Sequence, residues 1–168
     1  DVEMPWAEDP LGDDRRFVPV EGSWVHRERM EDPEIAARIS KDVLKRLQHG
    51  AGVDASLYQE WMNRRAEIVR LGDELLKTVD LIATPTAPRT AGIIAEIDPL
   101  NYRSVLALTS VFDVTHQPSI SVPCGFDGAG LPVGLMLSGG RWNDAFVLRA
   151  AYAYQQATDW HERRPAEL

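Results

Sequence analysis

The sequence predicts an α/β domain built from amphipathic helices and a few short strands. Apolar side chains recur at helical spacing over residues 32–50 and again over residues 56–80. Short apolar runs bounded by proline or glycine predict strands at residues 81–84, 119–122 and 133–137. Because strands and helices are mixed along the chain, we expect one layered α/β domain across residues 1–168.

Length, charge and cysteine content narrow the class of protein. The chain has 168 residues, enough for one domain with a sizeable core. Its net charge of -8 argues against a nucleic-acid partner, which needs a basic surface. No apolar run is long enough to cross a bilayer, so no membrane partner is expected. A single cysteine suits a reducing compartment, and a cytoplasmic location is predicted.

Residues 1–30 are predicted to be irregular, because three prolines interrupt them. The acidic cluster Glu8 to Asp14 lacks the spacing of a calcium loop and is interpreted as a solvated turn. None of the four histidines has a metal-ligand spacing. The sequence therefore assigns no metal and no cofactor to this chain.

The first helix is expected between an acidic cap and a glycine. Asp32 suits the N-cap, Pro33 the first helical position and Gly50 the residue just past the end. A buried stripe is predicted at every fourth residue, namely Ile35, Ile39, Val43 and Leu47.

A longer helix follows from Ser56 to Asp80, with Ser56 and Gln59 in a capping-box pattern. Gly72 falls on its apolar face, where a missing side chain would permit close packing. The face itself is interpreted as core and comprises Tyr58, Trp61, Met62, Ile68, Val69, Leu75, Leu76 and Val79.

The second half of the chain predicts a strand, a helix, a hairpin and a last helix. A loop is expected at residues 89–98 and a helix from Leu100 to about Phe112. Asp127-Gly128 is the turn signal between the strands Ser119 to Val122 and Val133 to Leu137. The terminal helix is predicted from Asp144 to about Trp160.

The nucleophiles and the glycine loop of this chain do not complete a site. Cys124 lies at a strand end, without the helix amino terminus that usually activates a thiol, and is interpreted as a small semi-buried apolar residue. The glycines of "GFDGAG" precede a strand, whereas a phosphate loop precedes a helix, so a hairpin is favoured. Ser138 has neighbouring glycines but no G-x-S-x-G pattern.

Three segments in order resemble the carboxy-terminal part of the amidase signature family. They read "DLIATPTAP", "TSVFDVTHQPSISVPCGFDGAGLPVGLML" and "NDAFVLRAAYAYQQATDW" with "RRP" close behind. The resemblance extends from about Tyr58 to Pro165 and is looser over residues 20–55. It implies a large, twisted, mixed sheet with helices on both faces, of which this chain would be the carboxy-terminal portion.

The resemblance also implies hydrolysis of carboxylic amides by a Ser-Ser-Lys triad. The lysine of such a triad must be neutral to accept a proton, and backbone N–H groups must hold the oxyanion. No residue of this chain matches the triad, so no catalytic residue is assigned here. Because the triad lies upstream in family members and residue 1 is Asp, we expect a carboxy-terminal part that is inactive alone.

By the same resemblance, the segment from Leu106 to His116 lines part of the substrate pocket. The residues assigned to the pocket are Leu106, Thr109, Ser110, Asp113 and His116. Asp113 stands where the family usually has Asn, and His116 where it usually has Gly, which permits a positive φ. These departures tune the substrate or repack the turn. Leu106 stands where the family's tRNA-dependent amidotransferases have Asp, which disfavours transamidation.

Two hypotheses about the whole protein stay open at this point. In the first, the chain is part of an amidase and binds the amino-terminal part and a small amide substrate. Separated from that part, it would expose apolar sheet edges and associate, dimerise or fold poorly. In the second, it is a free-standing α/β binding or scaffold domain without catalysis.

Overall fold

The computed structural model describes residues 1–7, 17–93 and 106–164. Two short 3₁₀ turns, Pro5–Ala7 and Trp160–Glu162, flank the main elements. In chain order, the main elements in these ranges are α1 (Phe17–Val25), α2 (Arg27–Glu31), α3 (Pro33–Ala36), α4 (Lys41–Ala51), α5 (Ala55–Leu75), β1 (Leu81–Pro85), α6 (Ser110–Thr115), β2 (Ser119–Phe126), β3 (Pro132–Gly139) and α7 (Asp144–Gln156).

Contacts divide the chain into two compact units. The sheet unit comprises Asp1–Glu8 and Ile68–Leu168, and the helical unit comprises Asp9–Glu67. Each unit is described by itself below. The expectation of one domain across residues 1–168 stays a prediction.

The sheet unit contains a three-stranded antiparallel sheet with the order β1-β3-β2. Strand β3 is central, pairing Leu81 with Gly139 on one side and Ser119 with Ser138 on the other. All three strands lie at the predicted places, and β2 and β3 are longer than predicted. The α/β class is confirmed.

Helices cover both faces of this sheet. Met136 and Leu137 are neighbours in β3, so their side chains point to opposite faces. On the first face, Met136 packs in a buried cluster with Ile82, Val111 and Phe112, against Met4, Trp6, Ala7, Leu75, Leu76 and Val79. On the second face, Leu137 packs with Val122 and Ala151, against Ile120, Leu135, Ala150 and Tyr154. The predicted arrangement of helices flanking a sheet follows from these two clusters.

In the helical unit, two predictions were wrong. Residues 17–31 form α1 and α2 rather than irregular chain; Pro19 is compatible with α1 because it lies in the first turn. The predicted helix 32–50 is broken. Asp32 caps α3 as expected, accepting from the N–H groups of Glu34 and Ile35, but a second helix, α4, begins after Ser40, whose ψ of 143° is typical of an N-cap.

The break changes the predicted stripe and the role of Gly50. Ile35 is 41% exposed and Val43 is also exposed, whereas Leu47 is buried. Gly50 lies inside α4 and does not end it. A Cβ at Gly50 would lie 2.1 Å from the carbonyl oxygen of Pro19, so a glycine is required where α1 and α4 approach.

The long helix begins with a different cap from the one predicted. Asp54, not Ser56, supplies the capping oxygen: its carboxylate accepts from the backbone N–H of Ser56 at 2.8 Å and from the Ser56 hydroxyl. These bonds lower the pKa of Asp54. Gln59 donates instead to Asn63, one turn along. The helix ends at Leu75, five residues before the predicted end.

The hairpin between β2 and β3 confirms the Asp127-Gly128 turn signal. One Asp127 carboxylate oxygen accepts from the N–H groups of Ala129 and Leu131 at 2.8 and 2.9 Å. The other accepts from the Thr90 hydroxyl at 2.6 Å. The left-handed residue of the loop is Gly130, with φ 81°. Cys124 is the extra residue of a β-bulge, because Pro123 pairs with Gly134 and Gly125 with Val133.

Candidate functional site

The short helix α6 presents one exposed side chain above a buried body. Its buried residues are Ser110, Val111, Phe112, Val114 and Thr115, which leaves Asp113 exposed. The Thr115 hydroxyl donates to the carbonyl of Val111 at 2.9 Å. The helix therefore anchors itself in the core while Asp113 faces outward. The predicted helix 100–112 was placed too early: residues 100–105 lie outside the described residues, and Leu106–Thr109 form a turn.

His116 ends α6 in the left-handed conformation, with φ 58° and ψ 32°. Its N–H donates to the carbonyl of Phe112. This is the conformation that glycine adopts most readily, as expected from the glycine that the family usually has here. The turn keeps its shape although a histidine occupies it.

A first cavity of about 320 Å³ lies between α6 and the sheet. We call it the Thr109 cavity. Thr109 and Asp113 are four residues apart, so they lie on one face of the chain as it enters and follows α6. The lining comprises Thr86, Thr109, Phe112, Asp113, Gln117, Ser119, Ile120, Ser121 and Met136.

Two pairs of hydroxyl groups cross the sheet beside this cavity. Thr86 Oγ1 and Ser121 Oγ are 2.6 Å apart, and Ser119 Oγ and Ser138 Oγ are 2.7 Å apart. Gly134 lies beside the first pair: a Cβ there would lie 2.7 Å from both hydroxyl oxygens. A glycine at this position in β3 therefore leaves room for the Thr86–Ser121 pair.

A second cavity of about 570 Å³ lies at the other side of Gln117 and Pro118. We call it the Trp142 cavity, and its lining is His116, Gln117, Pro118, Arg141, Trp142 and Asp144. Arg141 forms two hydrogen bonds with the carboxylate of Asp73, at 3.0 and 2.5 Å. Trp142 is 93% exposed and has a φ of 67°.

The five predicted pocket residues do not line one cavity. Thr109 and Asp113 line the Thr109 cavity, and His116 lines the Trp142 cavity. Ser110 is buried in the core, and Leu106 is half-buried outside both linings. A role of any of the five in substrate binding stays a prediction.

Sequence reasoning missed Gln117, Thr86, Ser119 and Ser121. The two serines carry a signal, because they alternate with Ile120 and Val122 and so share one face of β2. Thr86 follows directly after β1, in the Pro-Thr segment that the resemblance contained. Gln117 has no signal of its own, since its burial depends on the turn at His116.

The remaining candidates have structural roles. The Cys124 thiol is half-buried and donates to the carbonyl of Val133 at 3.5 Å, in keeping with its predicted packing role. The glycine-rich loop joins two paired strands, which confirms the hairpin over a phosphate loop. Among residues 1–7, 17–93 and 106–164, no group of three or more His, Cys, Asp or Glu side chains is placed to hold a metal ion. No helix in the same ranges is long and apolar enough to cross a membrane.

The hairpin turn carries a carboxylate with a shifted pKa. Hydrogen bonds from the Thr90 hydroxyl and from the backbone N–H groups of the turn lower the pKa of Asp127 below its usual 3.8. Asp127 belongs to neither cavity lining. The shift therefore reflects the hydrogen bonds that order the turn.

Comparisons with known proteins agree with the fold. The model of the Amidase family matches residues 24–148. The matching chain of the glutamyl-tRNA(Gln) amidotransferase of Microcystis aeruginosa is 37% identical over 118 residues, covering 69% of this chain and 24% of the relative. The chain thus spans about a quarter of the length of that relative.

Two solved structures show the same arrangement. The structure of 6-aminohexanoate cyclic dimer hydrolase has a TM-score of 0.71 at 21% identity, covering 98% of this chain and 38% of that chain. The matching chain of the glutamyl-tRNA(Gln) amidotransferase of Thermotoga maritima has a TM-score of 0.58 at 29% identity, covering 86% and 33%. With the family model matched over most of the described residues, this chain belongs to the amidase signature family.

Proposed function

We propose that this chain is the carboxy-terminal part of an amidase that hydrolyses carboxylic amides. The observation that carries the proposal is the match of the Amidase model to residues 24–148, in a chain that spans only about a quarter of a curated relative. In this proposal, the chain supplies three sheet strands, the helices on both faces and one wall of the substrate pocket. The catalytic serines and lysine belong to the remainder of the protein, and the chain alone is inactive.

The Thr109 cavity is the proposed substrate wall. Its volume of about 320 Å³ suits a small ligand. Phe112, Ile120 and Met136 supply apolar surface, and Thr86 and Thr109 supply hydroxyl groups. Apolar walls with a few polar groups are typical of small-molecule sites.

The test uses the full-length product of the reading frame that contains residues 1–168. It is incubated with a panel of neutral, cationic and anionic amides, and released ammonia or amine is measured. We expect hydrolysis by the full-length protein and none by residues 1–168 alone. An absence of hydrolysis across the panel would contradict the proposal.

The pocket assignment is tested by Asp113→Asn and His116→Gly in the full-length protein. Asp113→Asn removes a negative charge from the cavity wall, so cationic amides are expected to lose kcat/KM relative to neutral ones. His116→Gly keeps the left-handed turn and changes the Trp142 cavity. Unaltered selectivity in both variants would remove the assignment.

A second candidate is a component of a glutamyl-tRNA(Gln) amidotransferase. The identity of 37% to a chain of such an enzyme favours it, and Leu106 in place of the family's Asp weighs against it. Glutamine-dependent ammonia release by the full-length protein would favour this candidate over a general amidase.

The non-catalytic alternative, a free-standing binding or scaffold domain, makes a different prediction. Residues 1–168 would then be monomeric and unfold cooperatively on their own. Sedimentation and thermal unfolding of the isolated chain distinguish the cases, because the amidase proposal expects association, dimerisation or poor folding. A cytoplasmic location remains part of the amidase proposal.

A further inference from the structure

Gln117 buries an amide group that the described residues do not satisfy. The residue is 5% exposed. Its Nε2 and Oε1 atoms are two of four buried side-chain nitrogen and oxygen atoms without a hydrogen-bond partner in the part of the chain that the structure describes. Leaving a buried donor or acceptor unpaired is costly, and native structures seldom do so. A partner from elsewhere is therefore expected for both atoms.

The amide is held in place rather than free to turn. A Cβ at Gly72 would lie 2.7 Å from Gln117 Nε2 and 3.3 Å from Thr115 Cγ2. The bare backbone of α5 at Gly72 thus makes room for the Gln117 side chain, as the predicted close packing there requires. A side chain packed this closely keeps few rotamers, so its amide is presented in one orientation.

The position of Gln117 gives it access to ligand-sized space. It lines both the Thr109 cavity and the Trp142 cavity. On the Thr109 side it stands with Thr86, Thr109 and the exposed carboxylate of Asp113. A carboxylate in this wall repels anionic ligands, whereas the hydroxyls and the amide accommodate neutral polar ones.

We propose that Gln117 is a specificity-determining residue that pairs its carboxamide with a neutral carboxamide ligand in the Thr109 cavity. A carboxamide offers one N–H donor and one C=O acceptor along one edge, which complements the Oε1 and Nε2 of Gln117. A carboxylate ligand lacks the donor and meets Asp113. The proposal rests on the proposed function for the role of this cavity, and it names the residue that selects amide over acid.

The experiment compares three versions of the full-length product that contains residues 1–168. Gln117→Met keeps the shape of the side chain and removes both polar atoms. Gln156→Met is the matched control, because Gln156 is exposed at the end of α7. Binding of benzamide and of benzoate is measured by calorimetry, and the Gln117 side-chain N–H signals are followed by nuclear magnetic resonance.

The wild type is expected to bind benzamide at least about tenfold more tightly than benzoate, with a shift of the Gln117 N–H signals. Gln117→Met is expected to raise the benzamide Kd at least about tenfold. Its Tm without ligand should stay level or rise by about 2–4 °C, because two unpaired polar atoms leave the core. Gln156→Met should change neither quantity.

Three results would overturn the proposal. One is an unchanged benzamide Kd in Gln117→Met. Another is benzamide failing to bind the wild type or to shift the Gln117 signals. The third is a lower Tm in Gln117→Met with benzamide affinity intact, which would mean that the amide pairs with another part of the protein.

These outcomes separate this proposal from the proposed function. Amide hydrolysis by the wild type with no effect of Gln117→Met on benzamide binding or on KM would leave the amidase proposal standing and remove Gln117. Benzamide shifting the Gln117 signals in a protein that hydrolyses no amide would do the reverse.

Discussion

The sheet unit and the helical unit use apolar residues differently. In the sheet unit, strands and their covering helices bury a set of apolar side chains on two faces: Ile68, Ile82, Val111, Phe112, Val114, Val122, Met136, Leu137, Val147 and Ala151. In the helical unit, the buried apolar side chains among the described residues are Phe17 and Leu47, whereas Trp24 is 69% exposed. Helical spacing of apolar residues therefore does not by itself indicate burial.

The largest expected effect comes from truncating the core of the sheet unit. Ile82→Ala should lower the free energy of unfolding by about 3 kcal/mol, because it leaves a cavity among Val111, Phe112 and Met136. The matched change in the helical unit, Ile35→Ala, should stay within about 0.5 kcal/mol, because Ile35 is exposed. Urea unfolding of both variants measures the comparison. Equal losses would mean that the stripe predicted from the sequence is buried in solution.

A glycine tests the tightest contact of the helical unit. Gly50→Ala should cost about 2 kcal/mol, because its Cβ would meet the Pro19 backbone at 2.1 Å and push α1 from α4. Gly52→Ala is the control, since its nearest neighbour would be the His49 carbonyl at 3.6 Å. A loss of similar size in both variants would show that helix propensity, not the close approach, decides the result.

The turn at His116 is expected to show a smaller effect. In the left-handed conformation, a Cβ costs about 1 kcal/mol or more relative to glycine. His116→Gly should therefore be more stable than His116→Ala by about 1 kcal/mol, and the comparison leaves out the imidazole in both cases. Thermal unfolding of the two variants side by side measures it. Equal stability would argue that the turn relaxes when the imidazole is removed.

The smallest expected effect is the pH dependence of the hairpin turn. The pKa of Asp127 is lowered by hydrogen bonds in the folded state, so its stabilisation is present above its unfolded value of 3.8. That stabilisation is lost as the pH falls through the folded pKa. Asp127→Asn should therefore reduce the fall in Tm between about pH 4 and pH 2. A fall as steep in Asp127→Asn as in wild type would place the acid sensitivity elsewhere.

What the sequence predicted best was set by local chemistry. The Asp127-Gly128 turn, the cap at Asp32 and the strands around Val122 and Leu135 depend on neighbours in the chain, and the structure has them in place. The turn at His116 was predictable for a similar reason, because the family's glycine at this position permits a positive φ.

What the sequence predicted poorly depends on distant neighbours. Gly50 was interpreted as a helix end, but its contact is with Pro19, 31 positions away. The cap at Asp54 outweighed the Ser56 pattern because a carboxylate two residues earlier already satisfies the first N–H groups. Gln117 was missed because burial of its amide requires α5, α6 and β2 to be assembled.

The strand order of the sheet has a consequence for how the protein is made. Strand β3 lies in the middle of β1-β3-β2 but is the last of the three along the chain. On a ribosome adding about 5–20 residues per second, β1 waits on the order of several seconds for its partner. During that time Leu81 to Pro85 has no neighbour in this sheet. A nascent chain stalled before Pro132 would thus carry two strands with no sheet, and would be a natural client for a chaperone.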